Sequence, residues 1–500
     1  MTVFHVGNCF TTVDNPAPIT AAIAKYLVIK KDGFVQSIDH DEYAATGKTI
    51  LKTKYVPETV NLYNHIRCQF PTGRLGYITD WCFDNKVPIQ VIDERIKPQP
   101  HLLVEYVGPP SDGSNGKPPR IYQTLAAGMV QSKGGRGILH HATASGKTTT
   151  AARMIAEFKV NTLYIVPSLE LLSQTVESLE RNLKTPDGIG IIGDSEWKPK
   201  SITVATAASL WSRFETPACT DLLKSIEFVI FDECHHSQLK QGNKYEKNKH
   251  GEVQQFNSWY IIAINTPAYY RVGLTGTPGK DIEKKRSLLE CAIGRVVHRV
   301  SARELIDLGV ISDVEIHMHT IKHSKKFLDF PTARKECILL NEPFNEYIVQ
   351  IAMAELKQGR SVLLLTGSKE HQGPLLQKIF LRYGMEVPFV SGDSKKKDRK
   401  DAREEFRAGV RRILIGTIYK EGVDFPSLDS GILCDGGMDE KKTIQFLGRV
   451  LRTAEGKTMA RLHDFNVKDG KHLSKHSAAR ISTYLDEELD KIITHKGINI

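Results

Sequence analysis

Three groups of residues in this chain have the types and spacing that phosphate chemistry needs. The first is the run His141 to Thr148, HATASGKT, which follows a short apolar stretch and precedes TTAARMIAEF, a series of good helix formers. A loop that opens a helix in this way turns backbone N–H groups and the positive end of the helix dipole toward an anion. Ser145 and Gly146 would lie along the phosphates, Lys147 would supply a point charge for the β- and γ-phosphates, and the Thr148 hydroxyl is a ligand for Mg2+. The pattern GxxxxGK[ST] is incomplete, because His141 stands where its first glycine belongs, and so short a match also arises by chance.

The second group follows the apolar run Phe228 to Phe231, which ends in Asp232, Glu233, Cys234 and His235. Parallel sheets bind ligands at the C-terminal ends of their strands. Two carboxylates delivered there divide the work, Asp232 holding Mg2+ and Glu233 polarising an attacking water. The same dipeptide also occurs in solvated turns, and it gains meaning only beside a phosphate loop. The third group, QFLGRVLR, places Gln445, Arg449 and Arg452 at helical spacing on one face. Arginines on a helix are often plain surface. Here the alternative is a pair of fixed cations that meets a triphosphate only when two lobes close, which would couple hydrolysis to movement.

Chemistry of this kind needs a scaffold of parallel strands. Short, nearly apolar runs recur at 137–139, 162–166, 202–205, 228–231 and 271–274, with amphipathic stretches between them. A second series follows at 362–365, 388–390, 412–415, 431–434 and 459–462. Apolar strands alternating with helices indicate a parallel sheet covered on both faces. The expected fold class is therefore α/β, with two tandem parallel-sheet lobes over residues 120–300 and 301–500. The segment GPPSDGSNGKPP at 108–119 reads as a linker, and residues 1–107 before it as a small α+β domain, with a helix near 75–83.

Composition sets the outer bounds. Five hundred residues, 40% hydrophobic and 25% charged, can bury several cores and are neither collagen-like nor disordered. The net charge of +10 favours polyanions without proving a nucleic-acid partner. Eight cysteines without CxxC or Cys/His ligand spacing suggest free thiols in a reducing cytoplasm. No stretch reaches the ~18 apolar residues of a membrane span, and the N-terminus lacks a signal-peptide pattern, so no membrane role is expected. The Lys-rich segment 239–255 lacks apolar periodicity and reads as a surface loop, with contact to DNA as the alternative.

Taken together, the motifs resemble those of superfamily 2 DExH helicases. HATASGKT resembles motif I, LYIVPSLELLSQ motif Ia, VATAASL motif Ib, DECH motif II and LTGTP motif III. In the second series LLLTGSKEH resembles motif IV, IGTIYKEGVDFP motif V and QFLGRVLR motif VI. The resemblance covers about residues 117–465 and is nearest to the XPB-like group, in particular its phage branch-migration helicases. FPTGRLGYITDWCFDN at 70–85 and a tail helix over 475–492 match the flanks of that group weakly.

The resemblance implies two RecA-like lobes using ATP and Mg2+. Arg120, Tyr122 and Gln123 would form an adenine-reading Q motif, and Gly422 and Asp424 would lie near the ribose. Ser168, Thr206 and Thr417 would contact the sugar-phosphate backbone, Thr275 and Thr277 would belong to the coupling motif, and His235 would relay the nucleotide state toward Gln445. It also implies branched or forked DNA as substrate, recombination or replication proteins as candidate partners, and a phage protein working in the host cytoplasm. A restriction-type translocase motor, an RNA helicase and a non-catalytic strand clamp remain alternatives. Departures from the pattern are Ala144 for a usual Gly, Gly276 for the Ala of the common motif III, and Cys234 where Ala is common.

Overall fold

The computed structural model describes residues 1–39, 52–237, 246–247, 253–254, 258–276, 286–323, 327–391, 393–417, 428–437, 440–453, 457, 459–468 and 471–499. Its contacts divide the chain into two compact units. One joins Met1–Pro109, Gln123–His140 and Thr148–Arg299. The other joins Pro110–Tyr122, His141–Lys147 and Val300–Ile500.

The first unit is built on an eight-stranded sheet in the order Glu196–Lys198, Gly190–Gly193, Ile202–Thr206, Thr162–Val166, Phe228–Phe231, Tyr270–Thr275, Arg136–His141, Val296–Val300. The central pairs are parallel. Thr162–Val166, Ile202–Thr206 and Phe228–Phe231 are buried at every position. Such strands must be apolar on both faces, which is why they stand out in the sequence as continuous runs rather than as alternation. All five runs of the first series lie in this sheet. The strands that escape a search for apolar runs are short and contain glycine or charge, such as GIIG and EWK.

The composition break at 108–119 predicts a separate domain over 1–107, and by contacts Met1–Pro109 falls in the same compact unit as the first lobe. A small sheet, ordered Gln69–Pro71, Phe10–Asp14, Thr2–Val6, Ile89–Asp93, carries helix Leu75–Asp84. Its Phe4, Phe70, Ile78 and Cys82 belong to the same buried cluster as Phe231, Leu288 and Ile293 of the lobe. The junction is close-packed and polar at once. A Cβ on Gly73 would lie 1.9 Å from the Glu290 carbonyl oxygen, so only glycine fits there. Arg74 and Glu290 form a buried ion pair at 2.9 Å, and the Tyr77 hydroxyl donates to the same carboxylate oxygen at 2.7 Å. Linker composition records the loop residues at 108–119; it carries no information about the packing of the sequences on either side.

The second unit contains a seven-stranded sheet in the order Phe389–Val390, Ile413–Gly416, Val362–Leu365, Ser430–Leu433, Met459–Lys468, Asp313–Lys322, Ile492–Asn499, and its registered pairs are parallel. Two of these strands were not expected. Asp313–Lys322 and Ile492–Asn499 carry charged and histidine residues through their length, so neither reads as an apolar run. The tail expected to be helical to residue 492 is a helix over His472–Asp486, after which the chain turns into the edge strand. The segment 239–255 lies largely outside the described residues; within it, Glu246–Lys247 and Val253–Gln254 pair antiparallel.

Candidate nucleotide site

In the first unit a continuous chain of hydrogen bonds runs along the C-terminal ends of the central strands. Thr148 lies in the first turn of helix Lys147–Phe158, directly after the loop. The phenol of Tyr164, from the middle of a strand, hydrogen-bonds the Thr148 hydroxyl and donates to Asp232 Oδ2 at 3.1 Å. The Glu233 backbone N–H donates to Asp232 Oδ1 at 3.0 Å, so both carboxylate oxygens are fixed. Glu233 adopts φ +45°, a left-handed conformation that a non-glycine residue holds only at some cost in strain. That turn brings its carboxylate within 3.3 Å of His235 Nδ1, which is itself 3.0 Å from Thr275 Oγ1. Asp232, His235 and Thr275 are all buried.

Burial pushes the Tyr164 phenol well above its ordinary range, and the Asp232 charge beside it pushes it further. It therefore stays a neutral donor at any pH at which the protein works. Thr148 and Asp232, both hard oxygen donors and both tied to this one hydroxyl, fit Mg2+, which takes few protein oxygens and keeps water and phosphate in its remaining positions. When bound, Mg2+ would supply charge neutralisation on phosphate oxygens, with Thr148 and Asp232 holding it. Among the described residues no cluster of three or more His, Cys, Asp or Glu has metal-binding geometry.

The second unit holds the loop itself. Ala144 and Gly146 have φ +69° and +83°, which turns the backbone sharply ahead of Lys147. Gly146 pays nothing for this, whereas Ala144 occupies a conformation that disfavours a Cβ. The Ser145 carbonyl is held from outside the loop by the Tyr122 hydroxyl at 2.7 Å and by Arg120 Nη1 at 3.4 Å. The Tyr122 ring packs edge-on to His141, with centroids 5.8 Å apart. Both Q-motif-like residues therefore support the phosphate loop directly. Gln123, the expected adenine reader, is buried.

Helix Glu440–Val450 carries Gln445, half-buried, and Arg449, buried, one turn apart. Arg452 corrects the expectation of a shared helical face: it lies two residues past the end of the helix, and only Gln445 and Arg449 have helical spacing. Leucine and valine at 447, 450 and 451 pack into the core at this end of the helix.

The three residues expected to meet a nucleic-acid backbone all stand at or just after the C-terminal ends of parallel strands. Ser168 caps helix Leu169–Asn182, accepting from Leu171 N, and Thr206 caps Ala207–Ser212, accepting from Ser209 N. Their hydroxyls are engaged in these caps, as N-cap residues should be, which leaves backbone amides at the helix starts as the groups suited to a phosphate. Thr417 follows Ile413–Gly416 and is half-buried, its N–H donating to Val390 O at 3.2 Å. Gly422, Asp424 and Thr277 lie outside the described residues. Sequence reading missed Tyr164. Its one signal was a lone hydroxyl in the buried strand TLYIV, where an aromatic OH must find a partner.

Comparison with known proteins defines the class. Residues 117–280 match the family model described as the type III restriction enzyme res subunit, and residues 344–454 match the helicase conserved C-terminal domain. With the two RecA-like sheets, this pair makes the chain a superfamily 2 helicase-type motor, an ATP-dependent helicase or translocase acting on nucleic acid.

Among individual proteins, the DNA 3'-5' translocase XPB2 of Sulfurisphaera tokodaii is 27% identical over 371 residues, covering 67% of this chain and 78% of that protein. A fragment of a putative HsdR subunit of a type I restriction enzyme from Vibrio vulnificus superposes with a TM-score of 0.54 at 16% identity, over 91% of this chain and 76% of that one. T4 UvsW aligns over 100% of this chain and 99% of its own, with a TM-score of 0.40 and 16% identity.

Proposed function

We propose that this protein is a DNA motor that spends ATP to move branch points, migrating junctions and reversing forks in phage recombination, replication or repair. The observation that carries the catalytic half of this reading is the chain Thr148–Tyr164–Asp232–Glu233–His235–Thr275. Under this reading it would align two Mg2+ ligands, a carboxylate for the attacking water and a residue of the coupling motif at one end of the sheet. Lys147 would bind the β- and γ-phosphates and Ser145 and Gly146 line them. Arg449 and Arg452 would stabilise charge on the transferring group. His235 and Thr275 would report the nucleotide state to Gln445 and to the nucleic-acid path past Ser168, Thr206 and Thr417.

DNA as the substrate is supported by the XPB2 relative, which is named as a DNA translocase. Branched DNA is supported by the sequence likeness of residues 70–85 and of the tail to branch-migration helicases. The test is turnover of a labelled four-way junction with ATP and Mg2+, beside a tailed linear duplex and a Lys147→Ala control. Junction processing that outpaces the duplex and vanishes in the variant is expected. DNA-stimulated ATPase with an inert junction would leave a translocase without the branch-point role, and ATP-dependent plasmid cleavage would favour a restriction-type motor instead.

A further inference from the structure

The helix that presents Arg449 ends in an unusual place. It stops at Val450, and its last carbonyls have no partners within the helix, as at any helix C-terminus. Val450 is buried, so water is not there to solvate those carbonyls. Lys457 reaches back to them. Its ammonium donates to Val450 O, to Arg452 O at 2.9 Å and to Leu428 O at 2.6 Å. Three donors on one tetrahedral nitrogen meet three backbone acceptors, which uses the full hydrogen-bonding capacity of a lysine.

The three acceptors belong to two separate segments. Val450 and Arg452 bracket the end of the arginine-bearing helix. Leu428, fully buried, is the first described residue after the stretch resembling motif V. A cation at a helix C-terminus is also favoured by the helix dipole. We infer that Lys457 is a positioning residue: it clamps the exit of the motif V segment to the end of the motif VI helix, and so sets where Arg449 and Arg452 are held. The consequence for turnover rests on the proposed role of those arginines at the triphosphate.

The clamp has a built-in pH dependence. Burial pulls the Lys457 ammonium down to about 8, and the Asp429 carboxylate opposes that shift without cancelling it. Asp429 is in turn held by Ser361, whose N–H and hydroxyl donate to it at 2.9 and 3.0 Å. The other charges on the clamped helix end, the guanidinium groups of Arg449 and Arg452, do not titrate in this range. Above about pH 8 the nitrogen loses a proton and with it the third donor, and one carbonyl is released.

The experiment is the DNA-stimulated ATPase of the full chain between pH 6.5 and 9.5, for the wild type, Lys457→Met, Lys457→Gln and Arg449→Ala. Hydrogen exchange over residues 444–452 is measured in parallel. The wild-type kcat is expected to fall about tenfold from its plateau by pH 9, one unit above the Lys457 transition. Lys457→Met should give a kcat reduced about tenfold, a KM for ATP within about twofold of wild type, no alkaline limb, and faster exchange over 444–452. Lys457→Gln, which keeps neutral donors and is the milder change to packing, should fall between the two and also lack the limb.

If Arg449→Ala is inactive while both Lys457 variants keep the wild-type kcat and alkaline limb, the clamp is refuted and the arginine reading stands. If Arg449→Ala is fully active, the arginine reading is refuted, and the clamp is then judged by exchange alone: unchanged protection of 444–452 in both Lys457 variants overturns it.

Discussion

At the scale of single residues, the site is organised by a tyrosine to which the motif resemblance gave no role. Tyr164 reaches Asp232 Oδ2 and Thr148 from the strand paired with Phe228–Phe231, so one hydroxyl bridges the two proposed Mg2+ ligands. Removing only that oxygen should leave the core intact, because the ring remains packed and Phe is nearly isosteric. Tyr164→Phe is expected to cost about 1–2 kcal/mol of stability from the unpaired carboxylate oxygen and to lower the ATPase kcat about tenfold. It should also raise the Mg2+ concentration needed for half-maximal rate. A variant with wild-type Mg2+ dependence would show that Asp232 and Thr148 are held without it. Lys147, Thr148, Asp232 and Glu233 could be proposed from the sequence at this scale, because phosphate and metal chemistry tolerates few residue types. Tyr164 was not legible, because its role depends on which strand lies beside Phe228–Phe231.

At the scale of elements, the edge of the second sheet holds an internal patch of histidines. His317 faces His463 across one strand pair, and His319 faces His495 across another. His317 Nδ1 lies 2.7 Å from His495 Nε2, and His319 lies 3.0 Å from His463 and 2.9 Å from the Tyr347 hydroxyl. Burial, reinforced by the neighbouring imidazoles, lowers His317 to about 4 and His319 to about 3. Both folded-state values lie below the unfolded value near 6.5, so the unfolded chain takes up protons first as pH falls. The stability these two groups contribute is complete above about pH 6.5 and is lost progressively from there, down to about 4 for His317 and about 3 for His319. Urea unfolding of the wild type should therefore weaken markedly between pH 7 and pH 5, and a His317→Gln, His319→Gln double variant should weaken less over that interval. Parallel pH profiles for the two proteins would show that the patch does not titrate in this way.

At the scale of the whole molecule, charge and fold act together. A motor that follows a nucleic-acid backbone binds phosphates rather than base edges, and its affinity comes from displaced counterions. With a net charge of +10 and about six phosphate contacts, binding to duplex DNA should weaken about a thousandfold between 50 and 200 mM salt. Two unrelated sequences of equal length should give the same salt slope in fluorescence anisotropy. A shallow slope, or a difference of more than about tenfold between the sequences, would point to a sequence-reading protein instead. Among the described residues no helix is long and apolar enough to cross a membrane.

The sequence by itself determined the fold class and supplied the candidates for the chemistry. Doubly covered parallel strands must be apolar throughout, so Thr162–Val166 and Phe228–Phe231 announced the first sheet, and Val362–Leu365 and Ser430–Leu433 the second. Phosphate binding needs a glycine-bearing turn, a lysine and a hydroxyl in fixed order, which made residues 145–148 readable. Tertiary structure decided what depends on the other side of a contact. Residues 1–109 share a core with the first lobe because Gly73 and Arg74 fit Glu290, some two hundred residues away in sequence. The strand Asp313–Lys322 pairs on both sides and buries Val314, Ile316, Met318 and Ile321, a placement its polar residues hid from a search for apolar runs. Lys457 became meaningful only once the ends of two distant segments met at its ammonium. Local patterns record what a residue needs, and only the folded chain shows which distant group supplies it.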